Sequence, residues 1–278
     1  MKSTEQTYLI LGATGKTGSR ITQRLKTAGY NVREGSRNAV PPFDWEDQST
    51  WSAALDGAQS VYIAYQPDLA VPGAVETIQA FTRQAVASGV SKLVLLSGRG
   101  EEEAQQAELV VQNSGVDWTI LRASWFFQNF SEGHFLEPIQ QGELALPVGN
   151  VAEPFVDAED IADVAVAALS QPGHARQLYE LTGPRALTFA QAVAHIADAS
   201  EREIAFAGVP PAAYRAALEQ AQLPQPMIDL VLYLCTSVLD GRNSAAADGV
   251  QQALGRPARD FGDYVRRTVA TGIWDKPE

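Results

Sequence analysis

The chain is poor in the residues that build metal clusters and covalent staples: one cysteine and three histidines in 278 residues. A single cysteine excludes an intramolecular disulfide and a thiolate metal cluster. His134, His174 and His195 are far apart and show no ligand spacing, so no metal site is expected. Cys235 lies in the apolar run LVLYLCTSVL, where a buried structural thiol is the default. No window approaches the ~20 apolar residues of a membrane span, so no membrane partner is expected. Positive charge is also in deficit, with 21 Lys and Arg against 33 Asp and Glu, a formal net charge of −12. Nucleic-acid phosphates repel such a surface, which argues against that class of partner. The start, MKSTEQTYLILG, is polar and runs straight into a strand. No leader peptide is therefore expected, and the reading is a cytoplasmic protein.

Hydrophobic residues make up 45% of the chain, enough for one large core or two modest ones. Short apolar runs alternate with helix-period segments over the first half. Strands are predicted at 8–11, 31–35, 41–45, 60–65, 92–97 and 118–122. Helices are predicted at 19–27, 74–88 and 101–113, with Gly29, Gly89 and Gly115 closing them. Glu101, Glu102 and Glu103 sit near the positive end of the last of these, where carboxylates are favoured. This alternation predicts an α/β fold, a Rossmann-type doubly wound parallel sheet. From about residue 123 aromatics, Pro and Gly become frequent, and helices are predicted at 161–169, 189–199 and 211–222. The division expected is a sheet domain over 1–150, whose first strand–helix turn is read below as an NAD(P) site, and a smaller, mostly helical substrate lobe over 151–278. That boundary is approximate and allows the chain to return to the sheet.

Residues 9–18 read LILGATGKTG. Three glycines follow an apolar strand and open a helix, the placement in which free helix N–H groups hold a pyrophosphate. Gly12 permits the tight turn, Gly15 leaves no Cβ in the way of the phosphates, and Gly18 lets helix and strand pack closely. Thr14 and Thr17 add hydroxyl donors. The spacing is not that of a nucleoside-triphosphatase loop, because four residues between two glycines before Gly-Lys-Thr are lacking. The second strand ends in Gly35-Ser36-Arg37, where an NAD-preferring site would offer a carboxylate. Ser36 and Arg37, with Lys16, suit a 2′-phosphate, so NADP(H) is favoured over NAD(H). The alternative for Arg37 is that it lies over the adenine or in solvent, and the direction of Glu34 is left open.

Asp157 and Asp160 stand before an apolar helix. They read either as an acid/base pair or as an N-cap with an acidic third residue, and the cap explains both. Trp125, Phe126, Phe127, Asn129 and Phe130 belong to a run too dense in aromatics to face one way on a helix. Some of its rings are expected to face a ligand cleft, where flat apolar substrates stack. Tyr65 and Tyr214 are further candidates. His134 follows the run and reads as a cleft acid, a stacking wall or a loop histidine, the last being the commonest fate.

These segments, together with GVSKLVLLS at 89–97, WTILR at 118–122 and PFVDAEDIA at 154–162, resemble the NmrA-like, atypical short-chain dehydrogenase/reductases. WFFQNF at 125–130 and LTGP at 181–184 are most similar to the ergot-alkaloid agroclavine/festuclavine reductases and their bacterial relatives. The resemblance implies Gly12, Thr14, Gly15, Lys16, Thr17 and Gly18 on the pyrophosphate, and Ser36 and Arg37 on the adenosine phosphate. It implies Ala64, Tyr65, Gln66 and Pro67, and Ser97, Gly98 and Arg99, near the nicotinamide, with residues 125–130 as the substrate wall. Typical members carry Tyr-x-x-x-Lys on the helix after the strand at 92–97. Here that helix reads EEEAQQAELV, with neither residue, and Ser97 at the family's serine position lacks its partner. The implied activity is an NADPH-dependent reductase of a flat apolar small molecule such as a quinone or a cyclic imine or iminium. The alternative is a non-catalytic NADP-binding redox sensor. Ser97 and His134 are the catalytic candidates, and a homodimer is left open.

Overall fold

The computed structural model describes residues 6–276, so the first five residues of the polar start lie outside it. The first half runs β1 (Thr7–Leu11), α1 (Lys16–Thr27), β2 (Asn31–Gly35), α2 (Trp51–Leu55), β3 (Ala58–Ile63), α3 (Ala74–Ala87), β4 (Lys92–Gly98), α4 (Glu102–Gln112) and β5 (Asp117–Ala123). Next come α5 (Leu136–Gln141), β6 (Glu143–Leu146), β7 (Ala152–Glu153), α6 (Ala158–Ser170), β8 (Gln177–Leu181) and β9 (Leu187–Thr188). The chain continues with α7 (Phe189–Ser200), β10 (Ala205–Gly208), α8 (Pro211–Gln220), α9 (Gln225–Tyr233), α10 (Gly249–Leu254) and α11 (Phe261–Val269).

Six strands form one sheet in the order β2-β1-β3-β4-β5-β8, with every neighbouring pair parallel. Parallel pairing needs crossovers, and helices of 11 to 14 residues supply them. The inner strands are covered on both faces, so they read as apolar runs rather than alternations: all five residues of β1 are buried. Leu9, Val61 and Leu93 pack under Trp51, Phe81 and Ala104. Helices α1 and α3 each close on a left-handed glycine, Gly29 and Gly89. The next N–H then reaches back, Tyr30 to Leu25 and Val90 to Ala85, both at 3.0 Å.

The predicted strand at 41–45 is absent. Pro41 and Pro42 remove two ladder donors, and the segment is a loop pinned by Phe43, whose N–H reaches the Ser36 carbonyl at 2.9 Å. The Phe43 ring is buried beside Trp51 and Phe81.

The chain divides into two compact units. The first takes the chain through Ala123, then Ala158–Leu181 and Gly249–Arg256; the second takes Ser124–Asp157, Thr182–Asp248 and the chain from Pro257. A single boundary at 150 does not describe this, because β8 returns to pair with β5 at the sheet edge. Helix α10 then closes on β8 so tightly that a Cβ on Gly249 would overlap the Glu180 carbonyl. In the second unit Phe127, Phe130, Phe155, Phe189, Phe261 and Trp274 form an aromatic core. A capping box, Thr188 with Gln191, starts α7 at the residue the sequence predicts. Two short strand pairs, β10 with β6 and β7 with β9, accompany these helices. Among the described residues no helix is long and apolar enough to cross a membrane.

Candidate functional site

The turn between β1 and α1 is built as the spacing requires. Gly12 adopts φ +68°, and its N–H donates to the Gly35 carbonyl at 3.0 Å, tying the turn to β2. Gly15 N–H donates to the Gly12 carbonyl at 2.9 Å. Gly15 is also the N-cap of α1, which has no side-chain cap bond and no acidic residue in its first turn. The positive end of the helix is therefore not neutralised by its own sequence. The last two glycines of the spacing do different work. A Cβ on Gly18 would overlap the Gly12 carbonyl, so Gly18 is demanded by packing. A Cβ on Gly15 would find only the Gly12 carbonyl at 3.3 Å and Gln66 Nε2 at 3.9 Å, so its far side is open to a ligand.

Thr17 is buried, and its Oγ1 accepts from the Tyr62 hydroxyl at 2.9 Å. That bond leaves the Thr17 proton to donate elsewhere. Nothing in the sequence singles out Tyr62. It lies inside the apolar run of β3, where a tyrosine looks like core. Thr14 is exposed and Lys16 half-buried on the same turn. At the end of β2, Ser36 is half-buried and Arg37 exposed; among the described residues no hydrogen bond or ion pair engages the Arg37 side chain. Glu34 is held by Lys26 at 2.5 Å, which settles the direction left open by strand alternation.

Ala64 lies against the turn, its Cβ 3.3 Å from where a Gly12 Cβ would stand. Tyr65 is half-buried and packs on Trp45, with ring centroids 5.0 Å apart. At the end of β4, Ser97 is buried and its hydroxyl donates to Glu108 Oε1 at 2.6 Å. Arg122 donates to the same carboxylate from Nε at 2.9 Å and from Nη2 at 2.5 Å. Glu180 joins Arg122 and Arg99, each at 3.2 Å.

Two acidic residues border the same sheet edge. Glu101 immediately precedes α4 but does not cap it, and it is buried. Its carboxyl lies over Gly98, where a Cβ would overlap it, and it is hydrogen-bonded to the carboxyl of Asp68. Burial and the Asp68 charge push Glu101 up to about 9, and burial also raises Asp68. In the sequence Glu101 stands with Glu102 and Glu103 as dipole partners of a helix. Only Glu102 and Glu103 are exposed in that role.

The aromatic run lies in the second unit. Phe127 and Phe130 are 1% and 0% exposed, interlocked with Phe155, Phe189 and Phe261, and have no surface to offer a ligand. Density of aromatics here reflects core building, the correction to a wall of five contacts. Trp125, Phe126 and Asn129 are half-buried, Trp125 stacking on Phe135 at 6.2 Å. His134 is exposed. Tyr214 packs against this core, and burial pushes it up to about 12. Cys235 is buried and pushed up to about 12 by burial alone, as a structural thiol should be. Asp157 accepts from Gln128 at 2.8 Å and pairs with Arg267 at 3.0 Å. Asp160 pairs with Arg256 at 2.8 Å. Both are held by cations rather than poised for proton transfer. Among the described residues no group of three His, Cys, Asp or Glu is placed to hold a metal.

The open face at Gly15, the uncapped helix end and the free cation at Arg37 fit a dinucleotide. No family model matches the chain. It is 30% identical to a (4-alkanoyl-5-oxo-2,5-dihydrofuran-3-yl)methyl phosphate reductase of Streptomyces griseus, over 92% of this chain and 95% of that one. It is 28% identical to an NAD(P)H azoreductase of Xenophilus azovorans, over 94% and 98%. With an agroclavine dehydrogenase of Claviceps fusiformis it shares 27%, over 93% and 96%. Its fold superposes on the NADPH-dependent quinone oxidoreductase QOR2 of Escherichia coli with a TM-score of 0.75, at 20% identity and covering 94% and 99%. The chain therefore belongs to the NmrA-like atypical short-chain dehydrogenase/reductases, NAD(P)-binding oxidoreductases, and is related to the ergot-alkaloid reductases among them.

Proposed function

We propose that the chain is an NADPH-dependent reductase that passes hydride to a flat, apolar electrophile such as a quinone or a cyclic imine or iminium. The observation that carries the reading is the cradle around Gly15, next to an α1 N-terminus without a side-chain cap. Gly12, Thr14, Gly15, Lys16, Thr17 and Gly18 would hold the pyrophosphate there. The preference for NADPH rests on Glu34 and Arg37. Lys26 holds Glu34, the carboxylate near the end of that strand, while Arg37 stands exposed for a 2′-phosphate. Ala64, Tyr65, Ser97 and Gly98 would border the nicotinamide, at the strand ends where open α/β sheets bind ligands. Reduced nicotinamide supplies a hydride when bound there.

The relatives named for an azo compound and for agroclavine support an organic acceptor of this kind. Within the second unit, Trp125, Phe126 and Asn129 are half-buried and keep surface that a ligand could meet. The protein's own contribution is to orient the acceptor and exclude water from it. Helix α4 reads EEAQQAELVVQ, without the Tyr and Lys that usually deliver the proton.

The bond from Ser97 to Glu108 favours a second reading, a dinucleotide sensor without turnover, since it removes the family's serine from chemistry. Fluorescence titration with NADPH and NADH, followed by oxidation assays over a panel of quinones and cyclic imines, separates the two. A reductase binds NADPH more tightly than NADH and oxidises it faster with at least one acceptor. Binding with no acceleration by any acceptor assigns the sensor instead.

A further inference from the structure

Asp68 and Glu101 take no part in the binding described above. They follow β3 and β4, which are neighbours in the sheet, at the edge that carries the glycine turn. Gln66, two residues before Asp68, reaches to 3.9 Å of the open face of Gly15. Glu101 is 8% exposed, makes no cap bond, and lies in the space that Gly98 leaves by having no side chain. The Asp68 carboxylate accepts one N–H, from Ala70 at 2.9 Å. Among the described residues no lysine, arginine or histidine is paired with either carboxyl. The other charged groups that face the pair are also acidic, Glu103 and Glu108, and Arg122 already holds Glu108.

Two carboxyls in contact without a cation cannot both ionise at neutral pH, so the pair retains a proton. The position of that proton follows from surroundings: Glu101 is the more buried and among the described residues accepts no N–H, while Asp68 accepts one. A carboxylic acid of this kind, kept neutral by its site, is a competent general acid.

We infer that Glu101, hydrogen-bonded to Asp68, is the proton donor of the reduction and that the site accordingly takes acceptors whose reduction leaves negative charge on an oxygen or nitrogen. The inference rests on the reductase reading. After a quinone accepts hydride, its anionic oxygen takes the proton of Glu101. The Glu101 O–H bond breaks and its electron pair stays on the carboxylate. A proton from water then restores the acid, so one quinone, one hydride from NADPH and one solvent proton give one hydroquinone. Asp68 is the positioning residue, accepting from the Glu101 hydroxyl and opposing its ionisation.

The test uses the full chain with Glu101→Gln and Asp68→Asn. Infrared titration without cofactor should show a protonated carboxyl at pH 7 in the parent that Glu101→Gln removes. With NADPH, turnover of a quinone is compared with that of an N-alkyl iminium, which becomes a neutral amine and needs no proton. In Glu101→Gln the quinone-to-iminium ratio should fall on the order of a hundredfold. Asp68→Asn should move the alkaline limb of the quinone pH profile to lower pH, because the like charge opposing ionisation is gone. A fully ionised pair at pH 7, or an unchanged ratio in Glu101→Gln, overturns the proton-donor role while leaving the reductase reading intact. Failure of the parent to reduce either acceptor overturns the reductase reading, and this role with it.

Discussion

Ser97 donates its hydroxyl proton to Glu108 across 2.6 Å, and Arg122 grips the same carboxylate from the next strand. Glu108 is 2% exposed, so this is a charge carried into the interior and answered there. Removing the acid strands Arg122 with only the more distant Glu180. Glu108→Ala should therefore cost about 3 kcal/mol, against about 1 kcal/mol for Ser97→Ala, which leaves the ion pair in place. Urea unfolding with an unchanged m-value measures both. Equal losses would show that the hydroxyl, not the ion pair, organises this edge.

The glycines of the turn should separate under the same substitution. Gly18→Ala pushes a Cβ into the Gly12 carbonyl and should lower stability by about 1–3 kcal/mol. Gly15→Ala brings its methyl to 3.3 Å of the Gly12 carbonyl, a contact that a shift of a few tenths of an ångström relieves, so its melting temperature should fall less than that of Gly18→Ala. Its NADPH affinity should nevertheless fall by about tenfold or more, since the methyl occupies the pyrophosphate side. Thermal unfolding beside fluorescence titration reads the two effects. A Gly15→Ala protein that binds NADPH normally places the phosphates elsewhere.

Arg37 should set the choice of dinucleotide. Losing a charge-assisted bond to a 2′-phosphate costs about ten- to hundredfold in affinity. Arg37→Ala should weaken NADPH by that factor and leave NADH unaffected. Competitive titration with both cofactors checks it; parallel losses would put the side chain over the adenine instead.

Glu101 also predicts a pH dependence of folding. Its folded-state pKa lies near 9, above the ordinary glutamate range. The stability linked to its protonation is complete below the ordinary glutamate pKa and is lost as pH rises towards 9. The slope from this group is at most about 1.4 kcal/mol per pH unit. Glu101→Gln removes that dependence, so the variant's stability relative to the parent should rise between pH 5 and pH 8. Denaturant midpoints over that range test the sign; parallel curves would mean that Glu101 ionises freely.

Much of the first unit is legible in the chain because its signals are local. The apolar run at 8–11, the three glycines after it and Gly29 at the helix end each report the backbone within a few residues. They place β1, the turn and α1 without knowledge of anything distant. The capping box before Phe189 is equally local. The segment at 41–45 misled because Phe43 and Trp45 look like strand residues, whereas Pro41 and Pro42 exclude ladder bonding. Phe127 and Phe130 misled because composition says how many rings lie together but not which way they face.

Sequence alone thus determined the parallel sheet and the strand, glycine turn and helix that open it, since each depends on spacing along the chain. The tertiary structure decided what stands beside what. Asp68 meets Glu101, Ser97 meets Glu108 and Lys26 holds Glu34 because strand pairing and helix packing fold separate segments against one another. Burial then decides the charge of a carboxyl there, and burial is a property of the fold rather than of any residue's neighbours in sequence.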